Sequence, residues 1–377
     1  MIYRNTRFVF LLASALALTG CGWFGGDKKM SVLTEFAPTA KAAITWKKNI
    51  AKQSPIGFAP LLQNGVVYSA GGNGQVLAVD AATGKDLWRF AVKEELSSGV
   101  GSGKDSVYFG TRKGEVVALD LAGKQRWRSA VSSDILIAPQ AVNDVVIVRT
   151  VDGRIVGLNN ADGKRRWLQQ RTNPSLVLRN LGAVASSNGV MFAGLPGGRL
   201  IATKVEDGSL LWETLVSQPR GATELERIAD VASAPLLDGD KLCAVSYQGR
   251  LACFDADKGN LDWYREVSSA TGLARDERAL FTSDSNGVVV AYLKTAGTPL
   301  WKQEKLKGRK LSGPAVFGKF LVVGDVEGFV HVLSRETGEL AARIATDKSA
   351  IIAAPVATEQ GVLVQTEKGN LYTIAIQ

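Results

Sequence analysis

Apolar and polar positions along the chain fall into short alternating runs, each opened by a glycine. The copies are "GQVLAVD" from Gly74, "GEVVALD" from Gly114, "GRIVGLN" from Gly153 and "GRLIATK" from Gly198. Four more follow: "GRLACFD" from Gly249, "GVVVAYL" from Gly287, "GFVHVLS" from Gly328 and "GNLYTIA" from Gly369. The eight recur at intervals of 40, 39, 45, 51, 38, 41 and 41 residues. Another apolar run precedes each, as in "PLLQNGVVYSA" and "GPAVFGKFLVVGD". Runs this short, punctuated by glycine turns, predict strands.

A second pattern is interleaved with the first. Glycine with tryptophan four residues later occurs at Gly84 and Trp88, Gly123 and Trp127, Gly163 and Trp167, Gly208 and Trp212, Gly259 and Trp263, and Gly297 and Trp301. The next copy, Gly338, has Ala342 in the tryptophan place, and the missing tryptophan stands at the other end of the chain as Trp46. A repeat of about 40 residues with four short strands is a propeller blade. The expected fold is all-β: an eight-bladed β-propeller of four-stranded antiparallel blades. The segment around Trp46 is a tryptophan strand with no blade before it. The C-terminal "GVLVQTEKGNLYTIAIQ" is a blade with no tryptophan strand after it. Their pairing would close the ring and remove its open edges. In this reading each tryptophan packs one blade on the next, and Trp23 alone lies outside the pattern.

Composition agrees with such a body. Of 377 residues 40 are glycine, which suits many tight turns, and charged residues make up 21%. The N-terminus reads differently. Arg4 and Arg7 precede the apolar "FVFLLASALAL", a secretory signal too short to span a bilayer comfortably. It ends in "LTGC", which resembles the bacterial lipobox and implies acylation of Cys21. Acyl chains would hold the protein on a membrane without a spanning helix. Resemblance to bacterial lipoproteins further implies that Gly22, where an Asp would favour the inner membrane, directs the protein to the outer membrane, facing the periplasm. The expected organisation is a signal peptide over 1–20, a lipidated tether over 21–44 and the propeller over 45–377. The formal charge of +9 suits acidic partners or anionic lipid, and no nucleic-acid motif accompanies it.

Besides Cys21 the chain has Cys243 and Cys253, symmetric about Gln248 in "KLCAVSYQGRLACFD". In a tight hairpin they would be cross-strand neighbours. Two readings stand: a disulfide, which a periplasm permits, or two small buried residues.

The stretch "AVDAATGKDLW", Ala78 to Trp88, is similar to the blade repeat of the pyrroloquinoline-quinone (PQQ) propeller family, and looser copies extend that resemblance over roughly residues 45–377. In the dehydrogenases of that family the ring centre holds the quinone and Ca²⁺. The resemblance therefore implies carboxylates and amides for the ion, an Asp base and usually an adjacent Cys pair. Nothing in this chain supplies the set, so no cofactor is expected. Asp80, Asp120 and Asp255 recur with the blades and read as turn residues. The single His331 lies inside an alternating strand, more core or rim imidazole than ligand. No GxSxG, HExxH or P-loop pattern occurs. The expectation is a protein that is not an enzyme, with no metal.

The repeat is interrupted in two places. The spacing from each tryptophan to the next strand glycine is 28, 26, 26, 31, 37, 24 and 27 residues. The long intervals follow Trp167 and Trp212, so they are adjacent and on one face of the ring. They contain "RTNPSLVLRNLGA", with Leu176, Leu178 and Arg179, and "SQPRGATELERIADVASAP", with Glu224, Glu226 and Asp230. The second reads as a short helical or turn segment. Leucines beside an arginine make a protein-binding anchor; the other reading is that they begin the next blade's inner strand.

Lipobox, length, eight blades and these insertions together resemble the lipoprotein family of the outer-membrane β-barrel assembly machinery. The resemblance implies a scaffold that binds the POTRA domains of BamA and aids folding and insertion of outer-membrane proteins, whose unfolded chains are further possible partners. It implies partner contacts at Leu176, Leu178, Arg179 and Asp230. The family pattern has a second acid two residues after that Asp, where this chain has Ala232. A quinone-dependent dehydrogenase and a general periplasmic binding lipoprotein are the rival readings.

Overall fold

The glycine-initiated runs become the third strand of each blade, and the apolar runs before them the second. Both lie between neighbouring blades, so both faces are covered. Val76 to Val79, Val116 to Leu119 and Leu251 to Phe254 are all buried. Burial on both faces explains why these strands read as continuous apolar runs, whereas the outermost strands, such as Gln125–Ala130, alternate. The computed structural model describes residues 30–50, 58–179 and 182–377. Among them strands form eight four-stranded sheets. Seven are consecutive in sequence, over residues 61–91, 101–130, 140–170, 185–215, 236–266, 273–303 and 315–345, here blades 1 to 7.

Blade 8 is assembled from both ends of the chain. Its three inner strands are Val356–Ala357, Gly361–Gln365 and Asn370–Ile376, and its outermost strand is Ala42–Asn49. Ala42 pairs with Ile376 and Asn49 with Asn370. The ring therefore closes as the offset of the repeats predicts, and its first strand starts at Ala42, slightly before the expected boundary at 45.

The tryptophans join the blades. Each indole N–H donates to a backbone carbonyl in the next blade: Trp46 to Ala81, Trp88 to Leu121, Trp127 to Asn160, Trp167 to Val205, Trp212 to Ala256, Trp263 to Lys294 and Trp301 to Arg335, at 2.8–3.1 Å. The same ring lies over a glycine of that blade. Gly163 has φ +73°, and a Cβ there would sit 2.6 Å from the Trp127 ring. The repeating glycine is thus the seat for the preceding blade's tryptophan, not a partner of the one four residues later. Asp80, Asp120 and Asp255 accept turn N–H groups from Thr83, from Ala122 and Lys124, and from Asp257 and Lys258. They shape the seating turns.

Ala342 now has a physical explanation. In blade 8 no turn joins the third and fourth strands, Asn370–Ile376 and Ala42–Asn49, because they are not consecutive in sequence, so no seat for a tryptophan forms there. Instead Ala341 O accepts N–H bonds from Thr39 and Ala40, and Ala40 packs with Ala341 and Ala342.

The expected signal peptide 1–20 and the first part of the expected tether, 21–29 with Cys21 and Trp23, lie outside the described residues. Residues 30–41 run back along blade 7. Ser31 N and Oγ donate to the carbonyls of Lys307 and Lys305, Arg309 reaches Ser31 O, and Arg343 reaches Thr34 O. Phe36 lies under the Arg343 guanidinium. Both arginines belong to a buried cluster: Arg309 Nε donates to Asp325 at 2.7 Å, His331 Nε2 to the same oxygen at 2.9 Å, and Arg343 Nε to His331 Nδ1 at 3.3 Å. Arg309 also meets Glu327. Since an arginine can only donate, His331 Nδ1 is the acceptor and the imidazole is neutral.

Cys243 and Cys253 stand directly opposite on the second and third strands of blade 5, Cα atoms 4.0 Å apart and sulfurs 1.93 Å apart, the turn between them centred on Gln248 at φ +48°.

Two expectations follow. Gly65 and Gly163 share a positive φ, +74° and +73°, but a Cβ on Gly65 meets nothing within 4 Å. Gly65→Ala should lose only the backbone cost, about 1–2 kcal/mol, and Gly163→Ala about 1–3 kcal/mol more from the collision with Trp127, measured by denaturant unfolding. The second concerns the sole imidazole. Burial holds His331 below its ordinary value, against the pull of Asp325. A depressed folded value means the unfolded chain binds the proton first, so this contribution to stability is present above the unfolded value near 6.5 and is lost as pH falls below it. Between about pH 7.5 and about pH 5.5 the melting temperature should fall further for the native chain than for His331→Gln, which keeps both hydrogen bonds without titrating.

Candidate functional site

The two interruptions in the repeat are the connections from blade 3 to blade 4 and from blade 4 to blade 5. In an up-and-down four-stranded blade such connections share one face of the ring. Blade 4 begins its inner strand at Ala185, so Leu176 and Leu178 belong to the connection and not to that strand. Leu176 is 42% exposed, Leu178 half-buried and Arg179 exposed. Arg179 reaches back to blade 3's leading loop, where Asp134 Oδ2 accepts from it at 2.9 Å.

Asp230 sits beneath them, 2% exposed. One carboxylate oxygen accepts the Leu178 N–H at 2.6 Å and the other the Gly197 N–H at 2.9 Å. Gly197 is, with Gly198, one of two left-handed residues in the turn between blade 4's second and third strands. Asp230 therefore ties three things together: the second connection, which it belongs to, the first connection and the blade 4 turn. It is a buried positioning group, and its charge does not reach the surface. Ala232 is buried as well. Neither position presents an acid to a partner in this chain.

The acidic stretch before it forms a turn without a helix. Glu226 Oε2 accepts the Ala222 and Thr223 N–H groups at 2.7 and 3.1 Å, and these bonds hold its carboxyl below the usual range. Arg227 bonds Gly221 O and Glu224. With its polar neighbours turned into the loop, Leu225 projects outward, 66% exposed.

Arg149 supports the first connection from the opposite side. It closes the second strand of blade 3, is 4% exposed, and donates across the blade boundary to the carbonyls of Gly182 and Gly194. Burial, with no carboxylate to offset it, pushes its guanidinium down to about 10. Gln365 ends the corresponding strand of blade 8 and bonds blade 1 in the same way, to Ser69 and Ala70 O.

A family model described as Outer membrane protein assembly factor BamB matches residues 30–95, 72–303 and 285–377. The chain belongs to the BamB family. The outer membrane protein assembly factor BamB of Bordetella pertussis is 40% identical over 375 residues, covering 98% of this chain and 97% of that protein. BamB from Moraxella catarrhalis, a solved structure, has a TM-score of 0.82 at 26% identity, covering 89% of this chain and all (100%) of the other. The quinohemoprotein alcohol dehydrogenase of Comamonas testosteroni gives 0.71 at 13% identity, over 89% of this chain and 76% of its own. That likeness is one of fold alone. The BamB family is one of assembly factors, not enzymes.

Of the residues named from sequence, Leu176, Leu178 and Arg179 share one connection and Leu178 is bonded to Asp230, whereas Asp134, Arg149 and Leu225 are not among those named. Leu225 carries a signal that could have found it: an apolar residue between two acids in an insertion. Asp134 and Arg149 lie far away in sequence and carry none.

Asp230→Ala would leave two part-buried N–H groups without acceptors, costing about 1–3 kcal/mol each at most. The expected result is locally faster amide exchange at Leu178 and Gly197 with the ring's strands still protected, read by hydrogen–deuterium exchange.

Proposed function

We propose that this protein is a non-enzymatic scaffold lipoprotein, anchored through Cys21 to the outer membrane and facing the periplasm. It binds the POTRA domains of BamA within the β-barrel assembly complex and aids folding and insertion of outer-membrane proteins. The observation that carries this reading is the linkage through Asp230. The two longest departures from the repeat are hydrogen-bonded into one unit, and that unit holds Leu176, Leu178, Arg179 and Leu225 at one side of one face. Pre-ordered apolar side chains beside an arginine are the composition of an interface hot spot, and ordering them before binding lowers the entropic cost of association.

In this reading Leu176, Leu178 and Arg179 touch the partner, and Asp230 acts through Leu178. Signal peptide 1–20, lipidated segment and propeller remain its three parts. The periplasm keeps Cys243 and Cys253 joined, closing a blade hairpin that needs no partner.

The test is calorimetric titration of the form starting after Cys21 with the POTRA domains of BamA from the same organism. Saturable binding is expected. Leu178→Ala with Arg179→Ala should weaken it at least about tenfold, as loss of hot-spot side chains does, with an unchanged melting temperature. Binding that the double variant leaves intact would move the interface elsewhere on the ring. No binding by two folded proteins would favour a general binding lipoprotein.

A further inference from the structure

Residues 30–36 and the connection from blade 6 to blade 7 make a surface that the partner reading does not use. Within residues 302–310, Lys302, Lys305, Lys307 and Lys310 are all exposed, against one acid, Glu304, which pairs with Lys307 at 3.1 Å. The neighbouring acid Glu327 is taken up by the buried Arg309. Lys305 and Lys310 meet no carboxylate among the described residues. Across this loop lies the N-terminal segment, held by Ser31 on the carbonyls of Lys305 and Lys307 and by Arg309 on Ser31 O. It exposes Met30 and, at 85%, Val32. An exposed valine held beside Lys305 and Lys310, two lysines without a carboxylate among the described residues, is not explained by packing within the ring.

We infer that this edge of the ring lies on a bilayer surface containing anionic phospholipid, Val32 and Met30 entering the interface and the lysines meeting headgroup phosphates. The inference rests on the reading of Cys21 as an acylated residue. Met30 is nine residue steps beyond Cys21, and a fully extended chain advances about 3.5 Å per residue. The anchor therefore holds Met30 within about 30 Å of the membrane whatever path the segment takes. Because residues 31–40 are fastened along blade 7, that limit applies to the ring itself. One acyl signal with a basic, partly apolar patch is the pairing that gives stable surface attachment. Attachment at two points would also fix how the ring is turned toward the membrane, which acyl chains alone leave free.

The described ring is complete without residues 1–21, so a form starting at Gly22 can be tested by vesicle flotation. The probes are phosphatidylethanolamine vesicles with and without phosphatidylglycerol. Binding is expected only with phosphatidylglycerol, and salt should weaken it, since exposed charges are screened over about 8 Å at physiological ionic strength. Lys305→Glu with Lys310→Glu should lower partitioning by about tenfold or more, and Val32→Asp should lower it further, with melting temperatures retained. Equal flotation of the two vesicle types, or of native and charge-reversed protein, would overturn the proposal. The mass of the N-terminal peptide from membrane-extracted full chain tests acylation separately. An acylated Cys21 with failed flotation leaves the anchor and removes the surface, whereas flotation without acylation keeps the surface and removes the anchor.

Discussion

The structure depends on one contact repeated round the ring: an indole lying on a glycine of the next blade while its N–H is bound by that blade's backbone. Neither half works alone. A blade's middle strands are apolar on both faces and cannot be buried within the blade, so each needs a neighbour at a set distance. A tryptophan supplies a large apolar area, and its N–H must be satisfied once buried. Only a residue without Cβ and free to take φ near +70° can lie beneath the ring and leave the carbonyl in reach. The contact fixes both the spacing and the rotation between blades, and seven such steps, with the Ala40–Ala342 joint as the eighth boundary, close the circle.

That constraint is why the fold was so legible in sequence. Tryptophan, glycine and the alternating run recur with near-constant spacing, and even the defect at Ala342 pointed at the ring's joint. The pairing of glycine with tryptophan was legible only as a spacing. That Gly163 receives Trp127, and not the nearer Trp167, follows from the direction in which blades stack, which local sequence does not encode. The same limit governs the loops. Leu176 to Arg179 stood out because they interrupt a repeat. Asp230 read as a surface acid because acids usually are exposed, and nothing near it in sequence reveals the Leu178 and Gly197 amides it satisfies. Arg149 is a still harder case, a basic residue at the end of an apolar strand whose acceptors are in the next blade.

Buried polar groups mark the places where this ring departs from pure repetition. The blade boundaries share apolar packing, and further polar contacts cross them, such as Gln365 to Ser69, Tyr108 to Asn160 and Gln303 to Gly338. The boundary of blades 3 and 4 adds Arg149, the base of the adjoining loops adds Asp230, and blade 7 adds Arg309, Asp325 and His331. Each of these groups is paired, and each holds a segment that has no partner strand. A loop or strap kept in one conformation by apolar packing alone could slide; hydrogen bonds to named backbone atoms give it a single register, at the cost of desolvating a charge.

The joint between blades 7 and 8 joins these themes. A seat for a tryptophan needs a continuous turn between the third and fourth strands, and the ring has to open somewhere for the chain to enter and leave. It opens at that turn in blade 8, so the seventh tryptophan strand faces chain ends and carries Ala342. The space is taken by Thr39 and Ala40, the last residues of the segment that begins beyond Cys21. The same stretch of chain therefore seals the ring and, in the proposed reading, leads on to the acylated Cys21. Arg309 and Arg343 bond the carbonyls of Ser31 and Thr34 ahead of Ala40 and the closing strand. A buried arginine, Arg309, and a half-buried one, Arg343, thus fix this stretch to blade 7 in one register before it reaches the joint.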